Sequence, residues 1–416
     1  MSCHGPIITI YVLPFFRPIN LSPWLLGFRG LRYNATIIPA EVIVTGKERV
    51  RAALEHRESD LVPVGEWIVD YEPASLVLGR PTLLRGKAHL AQALWDGQRE
   101  EIVTSVKHDL VELIRRLDLD LVCADLTWPK GVTYERPERV EAETLRDRHG
   151  NVFRYSTLTD DLMVLERGDG SWEPPRPNRW EGDEFRPDPS ELELLLHVIA
   201  ELGKTHFLFT GMGDARLPVY SALDVEPEMI ALAEDPDRLA AEQLVGYQAL
   251  AKRIPFFKRL GFDAIIVGQD YGFNSGPFMS PATFKRVYFP ALQYICQAAH
   301  KHGLYLICHS CGNLRMILPL MIEAGIDVYQ AIQPLEDIAS LKRDFGRDLC
   351  LWGGVSNHDL VVGEPEEIRR QVRHAVDTCA PGGGFILGSS HSMTVRSKLA
   401  NIVAMLEEAG RNPQPA

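Results

Sequence analysis

The sequence predicts an α/β fold of the (β/α)8 or TIM barrel kind, and three observations lead there. From residue 45 onward, short apolar runs alternate with longer segments of helical period, the signature of βαβ units. Eight such runs occur in one chain. Titratable or amide side chains stand just beyond most of them, while the runs themselves stay apolar. In a barrel the C-terminal ends of the strands converge on one face, so groups far apart in sequence become neighbours there.

Residues 1–44 stand outside this pattern and read as an N-terminal extension to a barrel domain spanning 45–416. The stretch "PIITIYVLPFFRPINLSPWLLGFRG" is apolar but broken by Pro6, Pro14, Pro18 and Pro23, so no uninterrupted span remains to cross a bilayer. It also lacks the basic start and unbroken apolar centre of a signal peptide. The extension is expected to be dispensable or non-native, with the natural chain starting at Val44. The domain opens at Thr45, a helix cap followed by Val50, Ala53 and Leu54 on one helical face.

The expected strands are "LVPVGE" (61–66), "LDLVCAD" (119–125), "HFLFTG" (206–211), "DAIIVGQD" (263–270), "LYLICHS" (304–310), "IDVYQ" (326–330), "LCLWGG" (349–354) and "GGFILG" (383–388). Helical period fills 103–117, 191–202, 238–260, 281–302, 314–324, 335–345 and 365–379 between them. Ser280 and Pro281 supply a cap and a first-turn proline for one of these. The segment 128–190, rich in charge, Pro and Gly, is an insertion after the second strand. It is expected to form one or two hairpins turning at His149-Gly150-Asn151 and Thr159-Asp160-Asp161, and to wall the mouth of the barrel.

A hydrophobic fraction of 45% and a charged fraction of 24% over 416 residues describe a globular chain that buries a large core. The net charge of −12 opposes nucleic acid and anionic membrane, because both present phosphates. Seven cysteines, at 3, 123, 296, 308, 311, 350 and 379, follow no disulfide spacing and point to a reducing, cytoplasmic setting. No GxGxxG, Walker A loop, GxSxG elbow or HExxH occurs, which removes the simplest nucleotide-binding, serine-hydrolase and metalloprotease readings.

Glu66 and Trp67, Asp125, Gly211-Met212-Gly213, Asp270 and Tyr271, His309 and Cys311, Gln330 and Gln333, Gly353-Gly354 and His391 stand in turn at the strand ends. Imidazole and thiolate are zinc ligands, and His309 and Cys311 point the same way from an extended segment. Gly312 lets the chain turn away after them. Catalytic zinc takes three protein ligands, and His391, in the last strand-end loop, is the candidate for the third. Cys308 points opposite to its neighbour, and with Cys123, Cys296 and Cys350 reads as a core thiol. Asp125 and Asp270 are each open to three readings: general acid or base, partner of a ligating histidine, or helix cap. The glycines at 353–354 fit either close approach to a ligand or a tight turn.

Several blocks in order, "TGKERVRAALEHRESDLVPV", "GFDAIIVGQDYGFNSGPFMSPATFKRVYFPAL", "HSCGNLRMILPLMIEAGIDVYQAIQP", "LKRDFGRDLCLWGGVS" and "PGGGFILGSSHS", resemble the uroporphyrinogen decarboxylase superfamily. They are most similar to its cobalamin-dependent methyltransferase branch. The resemblance implies a (β/α)8 barrel with its site at the strand C-termini. The decarboxylases carry an arginine-rich motif early in the chain, whereas the matching stretch here, "VPVGEWIVDYEP", has no arginine. In the methyltransferase branch an H-x-C-G-N segment supplies two zinc ligands, matched by His309 and Cys311. The third ligand there is a cysteine, where this chain has Ser389-Ser390-His391.

What the resemblance implies is zinc-dependent methyl transfer between a small methylated substrate or thiol and a corrinoid (cobalamin) on a separate protein. Asp270 and Glu66 would assist, Trp67, Tyr271 and the 128–190 insertion would shape the pocket, and a homodimer is usual; Gln330, Gln333, Gly353 and Gly354 are expected to line the substrate pocket from their places at the strand ends. The alternatives are a decarboxylase acting on a carboxylated aromatic or tetrapyrrole through Asp125, and a non-catalytic corrinoid or porphyrin binder.

Overall fold

The computed structural model describes residues 44–416 except 176, 177, 222 and 224. The extension expected at 1–44 therefore lies, but for Val44, outside the described residues. Seven parallel strands follow one another in chain order: β1 (Leu121–Cys123), β2 (Phe207–Thr210), β3 (Ala264–Gly268), β4 (Tyr305–His309), β5 (Val328–Ile332), β6 (Cys350–Val355) and β7 (Phe385–Ser389). The sheet curls until its edges are joined by the segment around Val64. Gly65 N donates to Leu387 O at 3.0 Å on the β7 side, and Asp120 N donates to Val64 O at 2.8 Å on the β1 side.

The expected strand 61–66 is thus reduced to a single bridge between Val64 and Leu387. Pro63 has no N–H to give a ladder, and Gly65 passes so close to β1 that a Cβ would lie 1.9 Å from Leu121 Cδ2. The other seven expected runs each overlap a strand, with ends differing by up to two residues, as period and composition require.

Alternation along these strands sorts side chains into two cores. Leu121, Phe207, Phe209, Ala264, Ile266, Ile307, Val328, Cys350, Trp352 and Ile386 point inward and fill the curl. Residues of opposite parity, such as Val122, Leu208, Ile265 and Cys308, face the surrounding helices. Trp352 fills the centre, its indole N–H donating to Gly65 O at 3.0 Å and its ring meeting Phe209 edge-on. By the same parity His309 points inward and Cys308 outward, which sets up the site at one end of the curl.

Thr45 caps the helix Gly46–Leu54 in a capping box with Glu48. The helix expected over 365–379 occupies Pro365–Cys379. Two expected long helices are each divided, into Pro236–Ala251 and Ile254–Leu260, and into Pro281–Val287 and Phe289–Lys301. Pro255 and Pro290 lack the donor an interior turn needs and each starts a new helix instead. Within 128–190, strands Thr144–Arg146, Val152–Tyr155 and Leu162–Glu166 form the expected hairpins. Their turns are fixed by Asp147, which accepts from His149 N and Asn151 N, and by the Ser156–Asp161 backbone bond. Among the described residues no helix is long and apolar enough to cross a membrane.

Candidate metal centre

His309 ends β4, Cys311 follows two residues later, and His391 lies in the loop after β7. One ligand atom from each of the three falls within 4.8 Å of the other two. His309 Nε2 and Cys311 Sγ are 3.7 Å apart, and the two imidazoles meet edge to face with centroids 5.3 Å apart. Gly312, at φ 95°, takes the chain away immediately afterwards, and a Cβ there would lie 2.4 Å from the backbone of Gly272.

Side chains around the three fix their direction. Gln330 on β5, buried at 1% exposure, turns its Oε1 to His309 Nδ1 and donates from Nε2 to His391 O at 3.0 Å. His309 Nδ1 then carries the hydrogen, and the lone pair of Nε2 faces Cys311. His391 Nδ1 bonds Ser392 Oγ at 2.8 Å, which leaves its Nε2 free. Asp270 accepts from Cys311 N at 2.8 Å and stands 3.9 Å from His309 Nε2. Gln333 accepts from Gly312 N at 3.1 Å, and Trp67 packs its ring 4.6 Å from that of His309.

The donor set suits a divalent transition metal. Burial pushes both imidazoles down, His309 to about 4, so both are neutral ligands near neutral pH. Burial also pushes the Cys311 thiol up to about 12, so a thiolate there calls for a cation beside it. Two neutral imidazoles, one thiol and a side open to solvent past Asp270 match a three-ligand zinc site. Gln330→Met keeps the volume but loses both amide bonds, and is expected to weaken zinc binding roughly 10–100-fold in a chelator competition.

Beside this group lies a cavity of about 510 Å³ whose lining includes Glu66, Trp67, Cys123 and Asp125. Trp128 and Asp161, from the segment 128–190, are part of its wall. Asp125 accepts from Thr210 Oγ1 at 2.7 Å and from Gly213 N at 3.3 Å, yet burial still holds its carboxyl above the ordinary range. Glu66 accepts from Ser389 N and Oγ, both at 2.6 Å, and burial raises it to about 7. A carboxyl raised in the folded chain binds more protons there than in the unfolded chain, so stability falls as pH rises from about 4.5 to about 7. Glu66→Gln is expected to remove part of that fall, read as urea midpoints at about pH 5 and pH 8; other carboxyls raised by burial, Glu336 to about 7 and Asp125 among them, contribute in the same direction.

The structure separates some expected pocket residues from this site. Tyr271 is 1% exposed and packs against Phe284 and Tyr288 under the surface, so its ring shapes the core and not a pocket. Added Cβ atoms at Gly353 and Gly354 would meet Ile332 and Ala375, which makes both glycines allowances for neighbouring elements. Gln330 and Gln333 hold the ligand-bearing loops and do not line the cavity. Cys123, expected in the core, lines the cavity instead; Cys296, Cys308 and Cys350 are buried as expected. Arg85 and Lys87 also reach the cavity, though sequence alone gave no strand-end signal for them.

Comparison with known proteins agrees with the resemblance noted above. Residues 255–411 match the uroporphyrinogen decarboxylase (URO-D) family model. A methyltransferase from Methanosarcina mazei superposes with a TM-score of 0.57 at 19% identity, over 88% of this chain and 98% of that one, a likeness of fold. A sugar phosphate isomerase/epimerase from Parabacteroides distasonis aligns over 54% of this chain and 93% of its own, at 11% identity and a TM-score of 0.31. No curated protein matches the chain.

Proposed function

We propose that this protein transfers a methyl group between a small methylated substrate or thiol and a corrinoid carried by a separate protein, using zinc held by His309, Cys311 and His391. The observation that carries the reading is the convergence of two imidazoles and a thiol, one ligand atom each, within 4.8 Å at the strand ends. The match to the uroporphyrinogen decarboxylase family and the fold shared with a methyltransferase support it. The ring of seven strands closed through Val64 is read as a (β/α)8 barrel with 128–190 inserted after its second stave, and the six free cysteines among the described residues fit a reducing cytoplasm.

Zinc bound there would act as a Lewis acid, holding a thiol as thiolate or drawing charge from a leaving oxygen. The protein's own part is orientation and exclusion of water. Gln330 keeps His309 in the tautomer that offers Nε2, and Asp270 holds the Cys311 backbone in place. Trp67 covers one face of His309 and forms wall of the adjoining cavity. Glu66 and Asp125, both raised by burial, can hold or release a proton in that cavity.

Zinc-loaded protein mixed with cob(I)alamin and candidate donors is expected to give the absorption spectrum of methylcob(III)alamin, or to demethylate methylcobalamin when given a thiol. Failure of both reactions across ethers, amines and thiols, with zinc bound, contradicts the proposal. A second reading, decarboxylation through Asp125, is favoured by that carboxyl's burial in the cavity. It expects carbon dioxide release without zinc and its loss in Asp125→Asn.

A further inference from the structure

The cavity next to the metal group is larger than a methylamine or a simple thiol needs, and its chemistry is divided between floor, walls and rim. Leu84, Val106, Leu110, Leu113, Leu194 and Leu217 give it apolar walls. Glu66, Asp125 and Trp67 line it too, and Trp67 packs against His309 on its other side. Arg85, Lys87 and Arg216 also line it.

The turn carrying two of these cations is strained. Arg85 and Lys87 have φ values of 52° and 50°, the left-handed region, on either side of the buried Gly86. A non-glycine side chain is strained in that region, and strain of this kind gathers at ligand clamps. Lys87 is held by Asp70 at 3.3 Å and Asp161 at 3.2 Å, which fixes the turn. Arg85 is not held in that way. Its one ion contact among the described residues is at 3.9 Å to Asp70, a carboxylate that also accepts from Val395 N, so its guanidinium fork is left with donors to offer. It lines the same cavity as Asp125. Arg216, on the loop after β2, forms no ion pair among the described residues.

We propose that this cavity binds a molecule with an apolar body of ring size and one carboxylate, the carboxylate held by Arg85 at the rim and the body seated against the leucine walls. A guanidinium fork matches a carboxylate in two parallel hydrogen bonds, and a cationic ligand would meet three positive side chains on entry. Such a molecule also faces Glu66, Asp125 and Trp67. The inference names the class of small molecule for the methyl transfer proposed above and rests on that reading for the fate of the methyl group; binding itself needs no metal.

The test is calorimetric titration of the full, metal-stripped chain with benzoate, cyclohexanecarboxylate, benzyl alcohol and acetate. Both ring carboxylates are expected to bind about tenfold or more tighter than benzyl alcohol and acetate. Arg85→Met is expected to bring benzoate down to the level of benzyl alcohol, and Leu110→Trp, which fills the cavity from its wall, to abolish both. Benzoate binding no tighter than benzyl alcohol, equal binding of acetate, or unchanged benzoate binding in a folded Arg85→Met each overturns the inference. Because zinc is absent, these outcomes are independent of whether His309, Cys311 and His391 hold a metal.

Discussion

His309→Ala is expected to end stoichiometric zinc binding, with an affinity loss of at least about 100-fold, beyond the range for partners that only orient a ligand. The proposed site has three ligand residues, and alanine at 309 leaves a thiol and one imidazole. It also strips Gln330 Oε1 of its partner, so the bridge from β5 to His391 loses one end. The effect is read in two ways on the purified protein. Zinc per chain after dialysis is expected near one in the wild type and near zero in the variant. Thermal unfolding is expected to shift upward with zinc only in the wild type, since a ligand at about 100 times its Kd stabilises by about 2.7 kcal/mol. Equal zinc content in the two proteins contradicts the site.

Arg411→Met is expected to destabilise the fold by about 3–5 kcal/mol, the cost of stranding a buried charge. Asp120 is 3% exposed and takes Val64 N at 2.8 Å, Arg49 Nη1 at 3.2 Å and both Nη atoms of Arg411. Arg411, at 5% exposure, reaches on to Val62 O at 2.6 Å. This cluster ties the segment before Val64, the start of β1 and the C-terminal end of the chain together at the seam where the sheet closes. Without Arg411 the Asp120 carboxylate keeps only the part-exposed Arg49 for a charge partner. A urea midpoint in Arg411→Met close to the wild-type value contradicts this account. The double variant Asp120→Asn with Arg411→Met is expected to recover part of the loss, because replacing both partners leaves no stranded charge.

The fold was legible because the signals that carry it are local. Strand period sets Cys308 opposite to His309, as the two cores confirm, and the helical period over 365–379 coincides with the helix Pro365–Cys379. The two helices drawn too long failed at Pro255 and Pro290, where hydrophobic period outweighed a proline visible in the sequence. The first expected strand, 61–66, failed for a related reason, since Pro63 and Gly65 leave a bridge where a ladder was expected. The three ligand candidates come together because all sit at strand ends, the one place where topology fixes proximity.

Other parts of the site depend on directions that sequence does not encode. Tyr271 follows β3 after Gly268, and once the chain has left the strand, parity no longer says where a ring points; here it turns into the Phe284 and Tyr288 cluster. Gln330 ends as a brace because its amide fits between His309 and the loop two strands away. The pairing of Asp120 with Arg411 joins residues 291 positions apart, beyond any local pattern. Arg85 and Lys87 enter the cavity through a left-handed turn that their residue types do not announce.

Zinc X-ray absorption on the purified protein tests the central claim most directly. The account predicts one sulfur at about 2.3 Å and two imidazole nitrogens at about 2.0–2.1 Å, with the sulfur lost in Cys311→Ser and one nitrogen lost in His391→Ala. A shell of oxygen and nitrogen alone, or a spectrum unchanged by either substitution, contradicts it.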